Sequence, residues 1–147
     1  MKTTRYNRRE FLKNSCKVCA VVSLTGISIT ACTPAFPIVK TKFSKGTVSV
    51  PLTSFAESNL VIVRDLDVEF DVLVVKKNDG DFRALYMKCS HQHNSLTAIQ
   101  SGLHCSAHGS SFDLDGNPTK EPATLPLTQF QTELKTDSVN ITIPQNR

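Results

Sequence analysis

"CSHQH", residues 89–93, sets a histidine two places after a cysteine, and "CSAH", residues 105–108, sets one three places after a second cysteine. Thirteen residues separate His91 from Cys105. A structural zinc ion usually takes two thiols from one element and two imidazoles from another. Here the order is Cys, His, Cys, His, with only Ser90 inside the first pair. That spacing is awkward for one tetrahedral ion. It suits two metals, with the ligands of each loop going one to each metal.

Outward from these loops the pattern is β. Upstream, "FDVLVVKK" (70–77) runs through "NDG" into "FRALYM" (82–87), and Asn78, Asp79 and Gly80 tolerate positive φ, so residues 70–87 are expected to form a hairpin leading directly to Cys89. Before it, "TVSVPL" alternates Val48, Val50 and Leu52, and "LVIV" (60–63) is a short apolar run. Downstream, "FDLDG" supplies a turn at Asp115 and Gly116, and a loop holds Pro118, Pro122 and Pro126. "FQTEL" and "VNITI" then alternate as strands. "HNSLTAIQ" (93–100) could hold one helical turn. The "NIT" sequon at 140–142 falls in an expected strand and is read as chance. Strands on both sides of a ligand-bearing loop region predict an all-β module.

The chain has 147 residues, 39% of them apolar and 20% charged, enough for one domain with a modest core. Its net charge of +4 is misleading. Residues 1–31 hold six of the seventeen basic side chains and one of the thirteen acidic ones, leaving eleven against twelve in the remainder. The excess positive charge belongs to the leader, so nucleic-acid binding loses its compositional support. That leader has a basic start, an apolar run of about 14 residues at 18–31, and then Pro34 and Pro37. A membrane-crossing helix needs roughly 20 apolar residues, so an export signal is the better reading. Arg8 and Arg9 within "RREFLK" resemble a twin-arginine signal, the route for proteins exported already folded. "ITAC" (29–32) resembles a lipobox, which makes Cys32 the lipidation candidate. Cys16 and Cys19 would be discarded with the leader. The expected organisation is an export signal at 1–31, a Pro- and Lys-rich tether at 32–45 and the domain at 46–147.

The residues around the ligands carry a family resemblance. "CSH" and "CSAHGSSFDLDG", the hairpin before them and "EPATLPLTQF" after them resemble Rieske iron-sulfur proteins over roughly 46–143. The resemblance implies an antiparallel β-sandwich with a small cluster-binding subdomain formed by two loops, and one 2Fe-2S cluster. Cys89 and Cys105 would hold one iron, and His91 and His108 the other, through ring nitrogens. Ser110 matches the family's serine donor to a bridging sulfide, and the three prolines match the loop that covers the cluster. Neutral imidazoles in place of two thiolates place such centres at roughly -150 to +300 mV. Loss of an imidazole proton in the oxidised state would make the potential fall as pH rises.

Departures from the pattern refine this. Respiratory and photosynthetic members carry a further cysteine in each box, bridging the loops; here those positions are Asn94 and Ala107. Phe112 stands where high-potential members have a tyrosine hydroxyl. With one donor fewer, a middle or low potential is expected. His93 stands where relatives often have glycine and is given a backbone role; His104 is expected to point away from the site. The implied function is a periplasmic or membrane-tethered carrier of one electron, on the outer face of the cytoplasmic membrane, without catalysis of its own. Its partner would be a cytochrome, another oxidoreductase or a quinol, and it would be held at the membrane by a lipid anchor or an uncleaved leader. The alternatives are a Rieske subunit of a quinol:cytochrome c reductase or an arsenite-oxidase-like enzyme, the ferredoxin component of a dioxygenase, and, in another class, a zinc-stabilised binding module.

Overall fold

The computed structural model describes Arg9 and residues 36–42, 46–65 and 68–144. The chain divides into two units, Met1–Thr33 and Pro34–Arg147, and all the described strands belong to the second. Arg8, Cys16, Cys19 and Cys32 lie outside the described residues.

The hairpin expected at 70–87 is the centre of the fold. Strand β4 (Val72–Asn78) turns at Gly80, φ +107°, into β5 (Asp81–Tyr86). Around this pair lie β1 (Ile38–Lys40), β2 (Thr47–Pro51), β3 (Leu60–Arg64), β10 (Gln129–Leu134) and β11 (Ser138–Thr142), in the sheet order β1-β3-β4-β5-β10-β11-β2. All neighbours in this sheet are antiparallel except β1 and β3. A second sheet of four short strands follows the chain: β6 (Thr97–Ile99), β7 (Gly102–His104), β8 (Ser111–Phe112) and β9 (Pro118–Lys120). Sequence and structure agree on an all-β fold.

Two cores explain why "LVIV" and "VLVV" are nearly unbroken apolar runs. Val61, Val63, Val72, Val74 and Ala84 face Val48, Val50, Val139 and Ile141, so the seven-stranded sheet curls until β2 and β11 pack across from β3, β4 and β5. Leu60, Leu73, Val75 and Leu85 point the other way, into a core shared with Leu96, Leu103, Phe112, Cys89 and Cys105. Strands covered on both faces read as continuous hydrophobic stretches instead of alternating ones. The second face is the one that carries the candidate site.

Two sequence expectations are corrected. Residues 38–40, read as part of an extended tether, form β1, paired in parallel with β3 at Ile38–Ile62, Val39–Val63 and Lys40–Arg64. The helical turn allowed in "HNSLTAIQ" is instead β6, paired with β7. In both, pairing with a partner strand overrides a weak local pattern.

Candidate metal centre

The two loops singled out by the sequence have the same backbone design. In 89–94, Cys89 N donates to Asn94 O at 2.8 Å and His93 N to Cys89 O at 2.9 Å; in 105–110, Cys105 N donates to Ser110 O and Gly109 N to Cys105 O, both at 2.8 Å. Each loop is closed by a residue pair at its base, Lys88 with Ser95 and His104 with Ser111. Each has positive φ at its fifth residue, +54° at His93 and +82° at Gly109. That conformation suits glycine, and histidine enters it more readily than most residues. His93 therefore has the backbone role expected of it.

Each loop carries one thiol and one imidazole; the two thiols share one buried core and the two imidazoles meet ring to ring. Cys89 and Cys105 are unbridged and fully buried. The His91 and His108 rings stand edge to face, with centroids 5.1 Å apart and planes at 88°. His108 is exposed and His91 half-buried. His91 Nδ1 is buried without a hydrogen-bond partner. An orphaned ring nitrogen is costly unless something absent from the polypeptide occupies it. Among the described residues no three His, Cys, Asp or Glu side chains converge on a single ion. His104 takes no part, its Nδ1 lying 3.2 Å from Ser111 Oγ across the β7–β8 pair.

The surroundings are specific. Ser110 is fully buried, and its Oγ accepts from Ala123 N at 3.0 Å, which leaves its own O–H to donate. Phe112 is buried in the core that holds both thiols and brings no hydroxyl to it. Asn94 and Ala107, where a bridging cysteine pair would stand, are respectively half-buried and exposed. The turn behind the second loop is tied by Asp113, whose Oδ1 accepts from Asp115 N at 2.9 Å and Asn117 N at 2.8 Å. Burial pushes the Asp113 carboxyl up, but the bonds from Asn117 and Asp115 together with the charge of Lys77 outweigh it and hold the group below its ordinary range. Asp115 pairs with Lys77 of β4 and, at 2.9 Å, with Arg83 of β5, fixing the turn to the central hairpin.

One polar side chain at the site had no signal in the sequence. Ser90, between Cys89 and His91, donates from Oγ to Leu125 O at 2.7 Å, across to the proline-bearing loop. Ser106, its counterpart after Cys105, is exposed. A serine following each cysteine thus does not reveal which one bonds.

Fold and donor set together define the class. The chain belongs to the Rieske family, matching the Rieske [2Fe-2S] domain over residues 50–131. Its cofactor is a Rieske-type 2Fe-2S cluster and its chemistry is one-electron transfer. Among solved structures it is similar to the plasma membrane Rieske protein PetC3 of the cyanobacterium Synechocystis PCC 6803, at 20% identity and a TM-score of 0.56, covering 65% of this chain and 98% of that one. It is also similar to a chain of the complex of reduced oxygenase and oxidized ferredoxin in carbazole 1,9a-dioxygenase, at 23% identity and a TM-score of 0.52, covering 67% and 94%. Among curated proteins none matches. At such identities the likenesses concern the fold. The residues present fit the cluster: two buried thiols, two imidazoles and an unpaired ring nitrogen are the donors such a centre requires.

Proposed function

We propose that this chain is an exported one-electron carrier tethered at the outer face of the cytoplasmic membrane, with Cys89 and Cys105 on one iron and His91 and His108 on the other. The observation that carries the ligand assignment is the pair of equivalent loops, each contributing a buried thiol and an imidazole, with His91 Nδ1 unpaired. The cluster supplies the electron; the chain's own residues set its environment. Leu96, Leu103 and Phe112 pack around the thiols and exclude water from them. Ser110, held by Ala123, offers its proton as a hydrogen-bond donor. His108 is the exposed member of the donor set, and the electron enters and leaves on its side. With Phe112 in place of a hydroxyl donor, the potential lies in the middle or low part of the family's range.

The location rests on sequence. "RREFLK" supports export of the folded protein, and "ITAC" supports lipidation of Cys32. The tether then runs from Cys32 only to the residues before β1. The partner is a redox protein, a cytochrome or another oxidoreductase, or a quinol. Among the described residues no helix is long and apolar enough to cross a membrane. Fractionation of cells fed a labelled fatty acid, with parent protein and Cys32→Ala compared, tests the anchor: label and membrane retention are expected for the first only, and unlabelled parent protein would reject lipidation. Co-purification in a fixed ratio with a larger oxidoreductase would make the chain a subunit instead of a free carrier.

A further inference from the structure

The segment 121–126, "EPATLP", crosses from β9 to the buried Leu127, and two serines hold it at alternate residues. Ser110 Oγ, from the second cluster loop, accepts from Ala123 N at 3.0 Å. Ser90 Oγ, from the first, donates to Leu125 O at 2.7 Å. Beyond the segment, Leu127 N bonds to Gly116 O at 2.8 Å and Tyr86 N to Thr128 O at 2.9 Å. Ala123 and Leu127 are buried, whereas Leu125 is 65% exposed. The apolar contacts thus fasten the two ends of the stretch 123–127. Its middle, where Leu125 turns outward, depends on the Ser90 bond.

The two serines are not equivalent. Ser110 receives a hydrogen bond from the segment and keeps its own proton. Ser90 gives its proton to the segment, so its hydroxyl is committed away from the metal centre. Because Ser90 sits between Cys89 and His91, its bond ties the segment 121–126, the third loop at the site, directly to the backbone that carries one thiol and one imidazole.

We propose that Ser90 is a positioning residue that latches the third loop over the metal centre and controls the access of water and small reagents to it. This rests on the Rieske reading of the site, but the latch itself can be measured separately. Its loss removes one ordinary hydrogen bond. A bond of that kind is worth roughly a five- to tenfold change in local opening. The loop then opens more often, while the four ligand side chains and Ser110 stay in place.

The test uses the full-length holoprotein and the variants Ser90→Ala, Ser90→Val and Ser90→Thr, with Ser110→Ala as a comparison. Hydrogen exchange at residues 123–127 is expected to rise roughly five- to tenfold in Ser90→Ala and Ser90→Val, and to return to the parent rate in Ser90→Thr, which keeps the hydroxyl. Bleaching by a small iron chelator is expected to accelerate in the same order. The resting paramagnetic spectrum should be unchanged in the Ser90 variants and shifted in Ser110→Ala. Unchanged exchange in both Ser90→Ala and Ser90→Val, or failure of Ser90→Thr to restore it, would overturn the latch. A spectral shift in Ser90→Ala as large as that in Ser110→Ala would overturn it too, by placing Ser90 on the cluster itself. If the parent protein lacks a Rieske spectrum, the functional reading fails, while the exchange result still decides the latch.

Discussion

The His91 ring meets the His108 ring edge to face, with 5.1 Å between centroids and an interplanar angle of 88°. The two residues come from different loops, yet one ring is half-buried with an unpaired Nδ1 and the other is exposed. Under the proposed ligand assignment this asymmetry would give the pair two tasks. His91 would lie toward the protected side, and His108 would present the proposed centre to its redox partner.

Phe112 shares the core of the two thiols, which makes it a test of the proposed potential. It is buried with both thiols and lacks a hydroxyl, so Phe112→Tyr introduces a hydroxyl donor into the core that holds them. A hydrogen bond worth about 1 kcal/mol more in the reduced state corresponds to about 40 mV for one electron. Protein-film voltammetry is expected to show a rise of that order in Phe112→Tyr. A fall in potential would contradict the donor argument.

The matched loops predict opposite effects at matched positions. Gly109 has φ +82° and nothing within 4 Å of an added Cβ, so Gly109→Ala costs only backbone strain, about 1–2 kcal/mol. His93 already bears that strain at φ +54°, and His93→Gly is expected to stabilise the protein by up to about 1 kcal/mol. Denaturant midpoints of the two variants should move in opposite directions.

Gly102 is fixed by contact as well as by conformation. A Cβ there would lie 1.9 Å from Phe112 O, the neighbouring strand's backbone. Gly102→Ala therefore separates β7 from β8 and is expected to cost about 3 kcal/mol or more. Circular dichroism and iron content should fall together. A variant with the parent's stability would show that β7 and β8 are not held this closely.

Asp113 links the second loop's turn to pH. Its carboxyl is held below the ordinary value of 3.8 in the folded chain, so its contribution is complete above that pH and is lost as pH falls through the lower folded value. Asp113→Asn should flatten the part of the stability profile below about pH 4 and lower stability at neutral pH. Urea titrations of both proteins from pH 3 to pH 7, a range spanning roughly the ordinary carboxylate values, check this.

The central hairpin was legible because its strands are apolar and Asn78, Asp79 and Gly80 mark the turn. The two Cys–His loops stood out because cysteine and histidine are few and closely spaced, and their shared backbone design is what the structure adds. β1 was not: Ile38–Lys40 lies among prolines and lysines, and its parallel partner β3 is more than twenty residues away. β6 was hidden for a related reason, being three residues long and defined by pairing with β7. Ser90 could not be read at all, since its role depends on the carbonyl of Leu125 arriving beside it in space.

The central claim is that two thiols and two imidazoles from equivalent loops hold one 2Fe-2S cluster. Pulsed electron paramagnetic resonance of the reduced protein, with iron and zinc analysis of the same sample, tests it most directly. The expected result is iron without zinc and a signal coupled to two imidazole nitrogens, one coupling being lost in His91→Ala and the other in His108→Ala. Stoichiometric zinc with no reduced-state signal, or a signal unaffected by either substitution, would contradict it.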